Sequence, residues 1–333
     1  MPQPNEVHAV KLQQLRYLTA IAKNNLNISA AAESLYTSQP GVSKQIRLLE
    51  DELGVEVFNR NGKHLTHITP VGERIIARAE AILREVRNIQ VIAEEFRDNS
   101  RGTLSIATTH TQARYALPPV IRVFRERYPQ VLLQLHQGSP TQIAEMAASG
   151  KVDFAIATEA IGECHDLVMM PCYLWNRCAL VPQGHPLTAL PRLTIEDIAR
   201  HPLVTYVFGF TGRSQLDDAF RAAHLHPQVA FTATDADVIK TYVRLGLGVG
   251  IIARMAYDAE ADKDLVAIDA AHLFAPSTTK IGFLRGSFLR RFQYDFIQLF
   301  APHLTPQVVQ AAEATDSQEA LDALFGACEL PQY

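Results

Sequence analysis

Apolar residues recur every three or four positions through the first hundred residues, then give way to short apolar runs separated by polar stretches. Leu12, Leu15, Leu18, Ile21 and Ala22 predict a first helix over Lys11 to Asn24. Ala31, Ala32 and Leu35 predict a short second one, with Ser29 placed to cap it. Val42, Ile46, Leu49 and Leu53 make an apolar stripe on a third helix, and Pro40 suits its first turn, where no backbone donor is needed. Val57 to Thr66 reads as a two-stranded ribbon about an Asn61-Gly62 turn. Thr69 and Pro70 then open a long helix on which Ile75, Ala79, Ile82, Val86, Ile89, Ala93 and Phe96 form a heptad seam. The seam needs a partner, either the same helix of a second copy or the chain's own downstream domain. Asp98 to Gly102 breaks the helix.

Beyond Thr103 the pattern alternates between strands and helices. Strands are expected at Thr103 to Ala107, Val131 to His136 and Val152 to Ala157, with helices at Arg114 to Arg127 and Thr141 to Ser149. A second series follows: strands at Cys178 to Val181, Leu203 to Tyr206, Val229 to Thr232 and Val249 to Ile252, and helices at Thr194 to Arg200, Arg213 to Ala223 and Ala236 to Leu245. Thr279 to Leu284 is a further strand and Phe288 to Phe300 a late helix. Alternation of this kind predicts parallel sheets covered by helices, arranged as two α/β subdomains with a cleft between them. The chain should cross between them near Cys172 to Cys178 and return near Phe274 to Lys280. The tail beyond Pro302 shows only weak helical patterns, at Val308 to Ala314 and Gln318 to Phe325.

A length of 333 residues suits two or three domains, and 47% hydrophobic with 20% charged residues is an ordinary globular composition. No apolar run approaches the roughly 18 residues of a membrane span. The opening MPQPNEVHAV lacks a signal peptide's basic start and apolar centre, so a cytoplasmic location and no membrane partner are expected. Net charge is −4, yet Lys11 to Ala79 holds nine Lys and Arg against six acids. That mild local excess suits an oligomer pooling phosphate contacts at specific sites. Cys164, Cys172, Cys178 and Cys328 lack zinc spacing and read as reduced core residues, a redox sensor being the alternative.

Candidate chemistry falls in two places. The polar face of the third helix offers Ser38, Gln39, Ser43, Lys44 and Arg47, residue types that meet base edges and phosphates; a merely solvated face is the alternative. In the second half, Thr108 to Gln112, Gly138 to Thr141, Thr158-Glu159, Phe210 to Ser214 and Thr232 to Asp235 lie in loops between strands and helix starts. Hydroxyls and free backbone N–H groups there favour a small anion, or serve simply as caps. Enzyme chemistry is not evident. Asp235 and Asp237 read as caps and dipole partners, and His224 with His226 is a weak metal signal. Gly246-Leu-Gly248-Val-Gly250 ends a helix and enters a strand, the reverse of a phosphate loop. No catalytic residue, metal or cofactor is expected.

The Ser38 to Ser43 stretch and the Phe58 to Arg60 sequence resemble the winged domain of LysR-type transcriptional regulators. TTHTQARYALP at Thr108 to Pro118, HQGSPTQIA at His136 to Ala144, DFAIATEA at Asp153 to Ala160, FGFTGRS at Phe208 to Ser214 and Phe231 to Gly250 resemble the branch that activates cysteine biosynthesis. The likeness spans roughly Lys11 to Leu330. It implies an N-terminal all-α winged helix-turn-helix with a long linker helix, then an α/β periplasmic-binding-protein-like effector domain of two Rossmann-like subdomains. The implied bounds are 11–69 for DNA binding, 70–98 for a dimerising linker and 102–304 for the effector domain, with a tail at 305–333. Subdomain I would take about 102–174 and 277–304, and subdomain II about 175–276. Promoter DNA would meet Thr37, Ser38, Gln39, Pro40, Ser43, Lys44 and Arg47, with Arg60 and Lys63 from the ribbon. An acylated serine or sulfate-like anion would meet Thr109, Thr111, Gln112, Thr158 and Thr211. The resemblance implies a homodimer and, by pairing of dimers, a homotetramer. Paralogues that control sulfonate use and answer to a sulfur-assimilation nucleotide share similar cleft motifs. A solute-binding protein for sulfur oxyanions is the rival from another class.

Overall fold

The computed structural model describes residues 10–62, 64–158, 164, 166–210, 212–315, 317–326 and 328–333, and the chain divides between Glu94 and Glu95 into two compact units. The first holds α1 (Leu12–Lys23), α2 (Ile28–Ser34), α3 (Gln39–Leu53), β1 (Phe58–Asn61), β2 (His64–Ile68) and most of α4 (Pro70–Arg97). Leu18, Ile21, Ala31, Val42, Ile46 and Leu49 close its core with Phe58. Two sequence expectations shift. Asn27, not Ser29, caps α2, its Oδ1 accepting from the Ala30 N–H at 3.1 Å, because helical geometry already begins at Ile28. Leu53 is 38% exposed, the stripe having turned away from the core one turn earlier.

Thr69 caps α4 as its sequence suggests, accepting from the Gly72 N–H at 3.0 Å while donating to the Glu56 carbonyl at 2.7 Å. Gly72 permits this close entry, since a Cβ there would lie 2.2 Å from the Val57 oxygen. The heptad seam is divided. Ala79, 1% exposed, packs with Ile76 in the first unit's core, and Ile75 is partly buried against the same core. Ala79 is therefore unavailable to a second copy. Farther along, Val86 is half-buried and Ala93 exposed, while Ile82, Ile89 and Phe96 remain 46%, 67% and 89% exposed at seven-residue intervals.

The second unit contains two five-stranded sheets. The first is built from β3 (Gly102–Thr108), β4 (Val131–Gln137), β5 (Phe154–Ala157), β6 (Leu167–Trp175) and, after the second sheet, β12 (Ser277–Leu284), in the order β4-β3-β5-β12-β6. The second takes β7 (Arg177–Pro182), β8 (Leu203–Tyr206), β9 (Val229–Ala233), β10 (Val249–Ala253) and β11 (Leu265–Asp269), in the order β11-β7-β10-β8-β9. Both sheets are mixed rather than parallel: β3 runs parallel to β4 and β5, and β8 to β9 and β10, but β7, β11 and β12 pair antiparallel. The reason lies at the crossings. β6 passes into β7 through Asn176 alone, and the chain returns through β12 without a helix, whereas parallel neighbours need a crossover connection.

Helices α5 (Leu117–Arg127), α6 (Pro140–Ala148), α7 (Ile195–Ala199), α8 (Arg213–Ala222), α9 (Ala236–Arg244) and α10 (Arg291–Phe300) belong to this unit, followed by α11 (Pro306–Glu313) and α12 (Gln318–Phe325). Phe124, Phe154, Phe283, Phe292 and Phe296 fill one face of the first sheet, and Ile143, Ala147, Val152 and Met169 are among the residues on its other side. Burial on both faces explains why these strands read as continuous apolar runs. The tail is structural: Val309, Ala312 and Leu321 join the aromatic core, and Leu174 exchanges backbone bonds with the terminal residues, its N–H donating to the Pro331 carbonyl at 2.9 Å and its carbonyl accepting from the Tyr333 N–H at 2.8 Å. All four cysteines are free, but only Cys172 and Cys178 are core residues; Cys164 and Cys328 are half-buried. Burial pushes the Cys178 thiol up to about 12, which suits an unreactive packing group.

Candidate DNA-reading surface and effector cleft

Ser38 caps α3 through the Gly41 N–H at 3.3 Å, and Pro40 occupies the first turn, so the helix presents its next residues in register. Gln39, Pro40, Ser43, Lys44, Arg47 and Leu48 line one shallow concave surface opposite the buried Val42, Ile46 and Leu49. Ser38, Lys44 and Arg47 are exposed, and Thr37 is half-buried at the turn. Arg60 differs from its expected place: its guanidinium turns inward onto the Glu50 carboxylate. Lys63 lies outside the described residues.

In the second unit, the segment after β3 carries three of the expected ligand contacts. Thr109, Thr111 and Gln112 are 5%, 1% and 2% exposed, and Gln112–Ala116 forms one widened π-type turn ahead of α5, where a continuous helix from Arg114 is expected. Such turns redirect side chains at functional sites. Gln112 donates to Thr279 Oγ1 at 3.1 Å and accepts from the Tyr173 hydroxyl. Thr279 and Thr158 hydroxyls meet at 3.4 Å, and the Trp175 indole N–H reaches Thr158 Oγ1 at 3.3 Å. The Thr111 hydroxyl is buried and faces the phenol of buried Tyr206. Thr211 lies outside the described residues, but its neighbour Gly212 opens α8 at φ 74°, where a Cβ would fall 2.0 Å from an Arg177 nitrogen.

Arg177 is 3% exposed and knits the crossing together. It donates to the Gly212 carbonyl at 2.7 Å, Ser277 Oγ at 2.9 Å and the Ala275 carbonyl at 3.0 Å, and its guanidinium lies 5.1 Å from the Trp175 ring. It thus places a buried cation beside the indole that reaches Thr158. Tyr173, Trp175, Arg177 and Thr279 are absent from the expected set. A signal for two of them exists, the lone tryptophan and a solitary arginine within YLWNRCALV at Tyr173 to Val181.

A second contact crosses the cleft. Asp235 caps α9 through the Val238 N–H at 2.8 Å, as expected, but Asp237 accepts from the Tyr115 hydroxyl at 2.7 Å and pairs with Arg114 at 2.6 Å. Burial, then the hydrogen bond to Asp237, pushes the Tyr115 phenol above its ordinary value, so it remains a donor. His110 approaches the same carboxylate at 3.9 Å. Since Arg114 and Tyr115 already occupy Asp237, the cluster acts as a latch. The glycines after α9 are packing devices: Gly246 follows its last turn at φ 78°, and a Cβ at Gly248 would fall 2.1 Å from the Pro202 oxygen.

The sequence matches the family description "Bacterial regulatory helix-turn-helix protein, lysR family" over residues 12–73 and "LysR substrate binding domain" over residues 97–305. The chain belongs to the LysR family. Among its LysR relatives is the HTH-type transcriptional regulator CysB of Haemophilus influenzae, 55% identical over 321 residues, which are 96% of this chain and 99% of that protein. The regulator SsuR of Burkholderia cenocepacia is 50% identical over 89% of this chain and 96% of its own. Among solved structures, the cofactor-binding domain of the Cbl transcriptional regulator is 42% identical with a TM-score of 0.62, covering 65% of this chain and 95% of that one. LysR membership makes this chain a DNA-binding transcriptional regulator with a small-molecule effector domain, not an enzyme. Among the described residues no helix is long and apolar enough to cross a membrane.

Proposed function

We propose that the chain is a cytoplasmic activator of cysteine-biosynthesis and sulfur-assimilation genes, binding promoter half-sites through Ser38, Gln39, Ser43, Lys44 and Arg47 as a homodimer that pairs into a homotetramer. Its effector is a small anion or acylated serine held by Thr109, Thr111, Gln112, Thr158 and Thr211. The observation that carries this reading is the polar cluster at the crossing: buried threonine hydroxyls and the Trp175 indole N–H beside the cation of Arg177. Hydroxyl and N–H donors around a nearby guanidinium suit a compact oxyanion. The 55% identity to a CysB supports the sulfur assignment. Effector binding acts as a population shift: a ligand that prefers one subdomain arrangement about tenfold contributes about 1.4 kcal/mol of coupling per site.

Calorimetry of the full chain with sulfate, thiosulfate, O-acetylserine, N-acetylserine and adenosine phosphosulfate tests the assignment. Heat with N-acetylserine or sulfate, lost in Thr111→Val, is the expected result. Binding of the nucleotide alone would instead mark a regulator of sulfonate use.

A further inference from the structure

Arg60 is a basic residue in a ribbon next to the recognition helix, and its sequence position suggests a phosphate contact. The structure gives it another occupation. Its side chain is 24% exposed and its guanidinium is bonded to Glu50 Oε2, on a carboxylate whose side chain is 9% exposed. The second oxygen of that carboxylate accepts from the Val57 N–H at 2.9 Å and the Phe58 N–H at 3.1 Å. One acidic side chain in the last turns of α3 thus receives three donors from the strand that enters the ribbon, and Arg60 supplies the charge that makes a buried carboxylate tolerable. Reaching out to DNA would strip Glu50 of that counter-charge. Three residues upstream on α3 stands Arg47, part of the exposed polar surface.

We propose that Glu50 and Arg60 form a positioning clamp: the pair fixes the β1–β2 ribbon against α3 so that both meet DNA together, and Arg60 acts through Glu50 without touching phosphate. This predicts an unusual sign. Neutralising an acid beside a DNA-binding surface ordinarily strengthens binding, whereas neutralising Glu50 must weaken it.

The test uses the full chain and a duplex that the wild-type protein selects from a randomised pool, with affinity measured across a salt series for Glu50→Gln, Arg60→Gln, the double variant, Arg60→Lys and Lys44→Ala. Each Gln variant is expected to weaken binding about tenfold, the loss of one charge-assisted pair, with the double variant no weaker than the poorer single. The slope of log affinity on log salt should stay at the wild-type value in both, while Lys44→Ala lowers it by about one. Hydroxyl-radical footprints should lose the ribbon's protections and keep those of the helix. Should Arg60→Gln fail to fold, Arg60→Lys, which keeps the cation and loses the fork, carries the same expectation. Tighter or unchanged binding by Glu50→Gln, or a shallower salt slope in the Arg60 variants, overturns the clamp and returns Arg60 to the phosphates.

Discussion

Lys240 is 5% exposed, and its ammonium lies 2.6 Å from Asp262, itself 4% exposed, with Arg244 at 2.9 Å from the other carboxylate oxygen. Burial pushes the Asp262 carboxyl up, but Lys240, the Asp258 N–H and Arg244 together hold it below its ordinary value. A depressed carboxylate contributes stability that is present above its unfolded pKa of about 3.9 and is lost as pH falls through the lower folded value. Asp262→Ala leaves the buried ammonium with only the weaker contacts to Asp237 at 4.0 Å and the Tyr115 hydroxyl at 3.5 Å, and a loss of about 3 kcal/mol is expected. Trp175 is the chain's one tryptophan and lies in the effector unit, so its fluorescence during urea unfolding measures the change. Asp262→Asn should also flatten the dependence of that midpoint on pH below about 4. At this scale the sequence was legible where a residue acts on its own helix: Thr69 and Asp235 cap the turns that follow them, whereas Ser38, read only as a DNA-facing residue, also caps α3. It was silent on Lys240, Arg177 and Glu50, polar residues whose burial depends on partners 22 positions away for Lys240, up to 100 for Arg177, and 7 to 10 for Glu50.

Among elements, α4 shows how periodicity reports need without naming the partner. Its heptad pattern is real, but Ala79 is consumed by the helix-turn-helix core and only the stretch from Ile82 to Phe96 keeps an open apolar edge. If that edge joins two copies, burying Ile89 on both sides contributes about 3 kcal/mol per dimer. Ile89→Asp should therefore raise the dimer dissociation constant by roughly a hundredfold, read by sedimentation velocity over a dilution series; an unchanged constant would remove α4 from the interface. The strands β6 and β11 were missed for a different reason. β6 contains Pro171 and β11 is short and half-exposed, so neither shows clean alternation, and both are fixed as strands by neighbours, β12 for one and β7 for the other. The turn at Gln112–Ala116 likewise looks helical in sequence until its place at the cleft is known.

Across the effector unit, Asp237 of the second subdomain holds Arg114 and Tyr115 of the segment that bears Thr109, Thr111 and Gln112. Asp237 is 37% exposed and Arg114 57%, so the pair contributes about 1 kcal/mol once solvent screening is allowed for. Asp237→Asn should accordingly speed hydrogen exchange of amides 109–116 by roughly fivefold while the urea midpoint barely moves. Exchange at the wild-type rate would mean the latch carries no load between the subdomains. The sequence by itself determined the helix-turn-helix, the ribbon, the long helix and the two α/β subdomains, because each is written in local periodicity, caps and turns. It also singled out Thr109, Thr111, Gln112 and Thr158 as candidate contacts, through motifs shared with a known family. Tertiary structure alone decided that the sheets are mixed, that Ala79 is spent within the winged unit, that Arg60 faces Glu50, and that Trp175, Arg177 and Thr279 gather around the Thr158 and Gln112 side chains at the crossing. Those outcomes rest on strand order and on pairing between distant residues, where burial sets which charge meets which, and a linear pattern holds no record of either.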